Sequence, residues 1–262
     1  MGIAADIAED WHAALAALSW QIEAGADEII SDAPVNRYEL AAEAPKSLAA
    51  KISATAPVAT DITADPVAVA QAAAARALSL DALREAIAGF PHCELKKGAR
   101  NTVFADGNPK ARVLILGEAP GAEEDREGRP FVGRAGQLLD RMFAAIGLSR
   151  SSPDAGRALY ITNVMPWRPP GNRDPEPAEI AMMLPFVERH IALVDPQVIV
   201  VVGNTPLFAL TGSKGILRAR GNWSQSHGRL MLPMTHPAYL LRNPSAKREA
   251  WADLLSLQER LH

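Results

Sequence analysis

The sequence predicts an α/β fold: a three-layer α/β/α arrangement on a four-stranded parallel central sheet, plus an N-terminal helix and linker. Two observations carry this. Four apolar runs, RVLILG (112–117), LYITNV (159–164), QVIVVVG (197–203) and RLMLPMTH (229–236), alternate with segments of helical character, the order that a parallel sheet between two helical layers produces. QVIVVVG is apolar throughout, as a central parallel strand covered on both faces must be.

Taken in order, residues 5–31 predict one amphipathic helix with Trp11, Leu15, Leu18 and Ile22 at helical spacing. After Ser31-Asp32-Ala33-Pro34 the chain turns alanine-rich, with Pro45, Pro57 and Pro66 among Ser, Thr and Ala to about residue 75. That composition reads as a linker, because it offers too little apolar surface to offset the entropy of ordering. Residues 1–78 are therefore assigned to helix and linker, and 79–262 to the main domain. Within the latter a short helix spans Leu80–Gly89. Further helices are expected over Gly133–Ile146, Pro177–Val194 and Ala246–Leu261, each following an apolar run.

With 48% hydrophobic and 22% charged residues the chain reads as an ordinary globular protein. Its one cysteine, Cys93, excludes an intramolecular disulfide and leaves the redox compartment open. No run approaches the roughly 20 apolar residues of a membrane span. MGIAADIAEDW lacks a basic region followed by an apolar run. A cytoplasmic protein with no membrane association is expected. The net charge of −3 hides an asymmetry: residues 1–78 carry 11 acids and 4 bases, residues 79–262 carry 19 acids and 23 bases. Arg126, Arg129, Arg134, Arg168, Arg173, Arg218, Arg220 and Arg242 fall near the expected strand ends. Guanidinium groups grip phosphates and release counterions, so this pattern suits a nucleic-acid backbone; a solvated mixed surface is the plainer account of the charge taken alone.

Strand ends of an open α/β sheet converge on one crevice, which singles out four stretches. GEAPG (Gly117–Gly121) has neither the GK[ST] ending of a P-loop nor GxGxxG spacing, so a nucleoside triphosphate is not its ligand. It leaves Glu118 at a strand end, a position where an acid alone is most often a cap or a surface residue. GRPFVG (128–133) carries Phe131 between glycines and beside Arg129 and Arg134. An aromatic there is usually core, yet next to phosphate-seeking arginines it also offers a platform for a base. Asn163 ends an apolar strand, where its amide serves either as a loop cap or as a base reader presenting donor and acceptor side by side. His236 opens HPAYLLRNP, in which Leu240, Leu241 and Arg242 read as an exposed projection of the kind that wedges between bases. No HExxH or CxxC spacing occurs, so no zinc is expected.

GEAPGAEEDREGRPFVGRAGQLLD, YITNVMPWRPPGNRDP and THPAYLLRNP together resemble the family 4 branch of the uracil-DNA glycosylase superfamily over roughly residues 89–261. The resemblance implies a uracil-DNA glycosylase that flips uracil out of DNA, hydrolyses the N-glycosidic bond and leaves abasic DNA; a monomer that needs no metal or cofactor for this chemistry is expected. By position it implies that Glu118 places the attacking water and that His236 supports the leaving base. Phe131 would stack on uracil and Asn163 would read its edge. Ala119 and Gly121 stand where the best-known branch has aspartate and tyrosine, which places more of the water activation on Glu118 and leaves room for larger bases. Arg129, Arg134, Arg168, Leu240, Leu241 and Arg242 would contact DNA. Family 4 enzymes hold an iron–sulfur cluster on four cysteines. The matching positions here are Phe90, Cys93, Trp167 and Met183, so no cluster is expected and apolar packing takes its structural role. A relative that traps itself on DNA through a histidine in a KRRIH-type insert has no counterpart in RPPGNRDP (168–175). A non-catalytic binder of uracil or abasic sites is the alternative reading, and an interaction role for the acidic N-terminal segment is a third.

Overall fold

The computed structural model describes residues 65–261. The expected N-terminal helix and most of the expected linker lie outside them. At their start the linker reading fails: Pro66–Arg76 (α1) is a helix. Asp65 caps it by accepting the Val67 N–H at 3.1 Å, and Pro66 stands at the first helical turn, where a missing N–H is harmless. Its alanines, which suggested disorder, are strong helix formers. Ala70 and Ala74 are buried in the core, and small side chains there allow close packing against a later helix. The domain therefore begins before residue 79.

Leu80–Gly89 (α2) and Leu95–Gly98 (α3) follow, then Ala105–Gly107 (β1), Val113–Gly117 (β2), Ala122–Glu127 (α4), Arg134–Ala144 (α5) and Leu159–Asn163 (β3). The second half runs Pro177–Val194 (α6), Val198–Val202 (β4), Asn204–Thr211 (α7), Ile216–Ala219 (α8), Ser224–Ser226 (β5), Arg229–Met234 (β6), Pro237–Arg242 (α9) and Lys247–Leu261 (α10). The sheet order is β1-β3-β2-β4-β6-β5. Its four central strands are the expected apolar runs, all parallel. Two three-residue antiparallel strands, ADG and SQS, extend it to six; they are too short and polar to show a period.

Side-chain alternation explains the layers. Leu114, Leu116, Ile199, Val201 and Met231 face one core with Leu83, Phe186 and Ile191 from α2 and α6. Their neighbours Val113, Ile115, Val198, Val200 and Leu232 face the other, with Leu139 and Phe143 of α5 and Leu254 and Leu257 of α10. Every residue of β2, β3 and β4 is buried, and the polar groups within β3, the Tyr160 and Thr162 hydroxyls, are spent on His190 and the Phe104 carbonyl, which leaves the strand ends to meet a ligand. No helix among the described residues is long and apolar enough to cross a membrane.

Candidate active site

The carboxyl ends of β2, β3, β4 and β6 open onto one cleft of about 610 Å³, lined among others by Glu118, Ala119, Gly121, Phe131, Asn163 and His236. Residues from four sequence segments thus meet as the crevice argument expects.

Gly117 and Asn163 are paired in register at the ends of β2 and β3. A Cβ at Gly117 would overlap both the Asn163 Oδ1 and the Phe131 ring, so glycine is what lets the two side chains converge. Asn163 is 6% exposed, and its Oδ1 is the buried side-chain oxygen without a hydrogen-bond partner among the described residues. An orphaned buried acceptor costs about 1–3 kcal/mol, a cost that a ligand donor would relieve.

Phe131 has a left-handed backbone, φ 54°, a conformation costing about 1–3 kcal/mol for a residue other than glycine. The surroundings enforce it. Arg150 donates to the Pro130 and Phe131 carbonyls at 2.8 and 2.9 Å, and Gly136 has no Cβ to obstruct the Phe131 carbonyl. Glu124 accepts the Val132 and Gly133 N–H groups at 2.9 Å through Oε1 and the Gly121 N–H at 3.1 Å through Oε2. One carboxylate therefore ties GEAPG to GRPFVG. The Phe131 ring lies 5.7 Å from that of His236, tilted by 32°.

His236 is the N-cap of α9, and its Nδ1 accepts the Ala238 N–H at 3.1 Å. With Nδ1 used as acceptor, the proton of the neutral ring sits on Nε2. Burial, reinforced by the positive charge of Arg242, pushes the imidazole pKa down to about 4. At neutral pH the ring is uncharged and donates only through Nε2.

Glu118 follows β2 directly and is half-buried. Its Oε2 accepts the Thr205 hydroxyl at 2.6 Å. Burial pushes its pKa above the usual carboxylate value; the Thr205 hydrogen bond opposes that and the charge of Asp174 adds to it.

The expected DNA-contacting residues divide. Arg242 is exposed on the cleft wall. Arg129, exposed and paired with Glu127 at 3.0 Å, Arg134 at the first position of α5, and Arg168, bonded to Asn172 at 2.8 Å, lie outside the cleft lining. Arg173 lines the cleft but is held by Glu179 in two hydrogen bonds of 2.9 and 2.7 Å, and Arg220 is held by Asp253 and the Glu249 carbonyl. Leu240 contradicts its expectation. It is fully buried against Leu138 and Ala250, because in the helix α9 it shares the inward face of Pro237, three residues back. Leu241 is half-buried against the same cluster. The exposed leucine of the cleft is Leu217, 55% exposed, which sequence reasoning missed along with Glu124, Arg150 and Thr205. The acid three residues after Gly121 was a signal for Glu124, since a residue there reaches back to the preceding turn.

Phe90, Cys93, Trp167 and Met183 are all buried in one apolar core. Trp167 satisfies its ring N–H on the Thr102 hydroxyl at 3.1 Å, and Phe90 packs edge-on against Phe186. A cluster held by thiolates does not fit this set: one position offers a thiol, whose pKa burial raises, and the others are phenyl, indole and thioether.

A family model described as the uracil DNA glycosylase superfamily matches residues 104–255. The chain is 37% identical to a type-4 uracil-DNA glycosylase of Sulfurisphaera tokodaii, over 69% of this chain and 84% of the relative. It is 42% identical to a type-4 enzyme of Thermotoga maritima, over 58% and 78% respectively. Against the type-4 enzyme of Saccharolobus solfataricus the identity is 37%, over 70% and 87%.

Proposed function

Because the chain belongs to the uracil-DNA glycosylase superfamily, we propose that it is a monofunctional DNA glycosylase that draws uracil out of DNA and hydrolyses the bond between the sugar C1′ and the base N1. The observation that carries this reading is the pairing, across one cleft, of a neutral imidazole with a free Nε2 donor and a carboxylate.

The glycosidic carbon cannot be reached inside a stacked duplex, so the nucleotide must be extruded. Phe131 stacks on the base, and the Asn163 amide pairs with its edge, its unpartnered Oδ1 accepting the N3–H of uracil. Cytosine presents an acceptor there and is rejected. As the C1′–N1 bond breaks, its electron pair moves to N1 and positive charge grows on the sugar. His236 donates from Nε2 to the departing anion, an effect worth about 3 kcal/mol. Glu118, ionised, orients a water whose oxygen bonds C1′ and whose proton leaves to the carboxylate or to solvent. Ala119 and Gly121 leave the pocket roomy. Arg129, Arg134, Arg168 and Arg242 hold phosphates. With Leu240 buried, Leu241 and Leu217 are the leucines available to fill the space that the base leaves.

A uracil-containing oligonucleotide incubated with the protein and treated with alkali tests this: strand cleavage at the uracil position is expected. An uncleaved strand that the protein nevertheless binds would establish the non-catalytic binder in its place.

A further inference from the structure

Thr205 stands in the first turn of α7, just beyond the end of β4, and is 7% exposed. Its single hydroxyl proton is spent on Glu118 Oε2 at 2.6 Å, a contact between residues 87 positions apart and within the range of a charge-assisted O–H···O⁻ bond. The donor is itself fixed. Asn204 Oδ1, one residue earlier, accepts the Gly215 and Ile216 N–H groups at 3.1 and 2.9 Å, so the start of α7 is pinned to the 215–216 turn. The β-branched Thr205 side chain has few rotamers to explore. Glu118 Oε1 has no hydrogen bond among the described residues and is not a buried orphan.

We propose that Thr205 is the positioning residue of the hydrolytic step, its hydroxyl fixing the Glu118 carboxylate through Oε2 so that Oε1 orients the attacking water. This rests on the role given to Glu118 above. The charged groups around Glu118 make the hydroxyl necessary. Asp174, on the loop between β3 and α6, repels the carboxylate charge and adds to the upward push of burial, and the Thr205 bond opposes both. Arg173 on the same loop is bound to Glu179. Glu124 on α4 is bound to three N–H groups. From α9, His236 is neutral at physiological pH and Arg242 stands at the exposed rim.

Single-turnover excision of uracil by the full chain, followed across pH, tests the inference with Thr205→Val, Thr205→Ser and Glu118→Gln. Thr205→Val is expected to lower the rate at pH 7 by about tenfold or more, the equivalent of one hydrogen bond to a charged group, with DNA affinity unchanged. It should also move the acidic limb of the profile to higher pH. Thr205→Ser, which keeps the hydroxyl, should restore both rate and limb. Adding Thr205→Val to Glu118→Gln should cost nothing further. Thermal melts verify that each variant is folded, and Thr205→Ala replaces the valine variant if that one is not. A folded Thr205→Val with wild-type rate and limb, beside an impaired Glu118→Gln, overturns the inference alone. A Thr205→Ser as slow as Thr205→Val does the same. Wild-type excision by Glu118→Gln removes the role of Glu118 and the inference with it.

Discussion

Two parts of this molecule treat polar and strained groups in opposite ways. Around Phe90, Cys93, Trp167 and Met183 the side chains are buried, apolar or locally satisfied, and they pack as any core does. At the strand ends, Phe131 is held at positive φ, Asn163 carries an unpartnered oxygen and Glu118 is driven toward its neutral form by burial. The first region can change chemistry as long as volume is filled. The second keeps features that weaken the fold, which is what a site prepared for a ligand looks like.

The largest effect expected to separate the two regions is on rate. His236→Gln or Glu118→Gln should lower uracil excision by about 10² to 10³ in a single-turnover assay while binding to abasic DNA persists; unchanged turnover in both would remove these side chains from the mechanism. Trp167→Ala should do the reverse, costing about 3–5 kcal/mol of stability in denaturant titration with little change in rate per folded molecule.

Asn163→Ala sharpens the contrast. Deleting a buried acceptor that has no partner should leave the melting temperature level or raise it, while excision collapses; a marked drop in stability would mean that the oxygen has a partner after all. A leucine pair comes next. Leu240→Ala should cost about 2–5 kcal/mol. Leu217→Ala should leave stability alone and slow excision from double-stranded more than from single-stranded DNA; equal slowing on both would end its role in filling the duplex.

The smallest effect is on the pH dependence of stability. His190, buried and hydrogen-bonded to the Tyr160 hydroxyl at 2.7 Å, is pushed by burial to a pKa of about 3, below its value in the unfolded chain. The unfolded state therefore takes up a proton first as pH falls. Stability should be full above about pH 6.5 and decline below it, and His190→Gln should flatten that decline in melts between pH 7 and 5.

Where local pattern decides, the sequence was legible. Leu80–Gly89 and Pro177–Val194 have the boundaries their periodicity predicts, and the four apolar runs became the central parallel strands, bringing Glu118, Asn163 and His236 to one edge of the sheet. The family motifs pointed to the same residues. Pro66–Arg76 was misread because alanine favours helix and linker alike until a partner surface decides between them.

What remained hidden depends on groups meeting across long stretches of chain. The burial of Leu240 follows from the side of α9 that faces α5 and α10. The Glu124 ties, the Arg150 clamp on the Phe131 loop and the Thr205 hydrogen bond are contacts of single atoms, without a repeating pattern. Hydrophobic burial is spread over many residues and leaves a period in the chain, whereas a hydrogen bond needs two groups at one distance and angle, which only the folded backbone supplies.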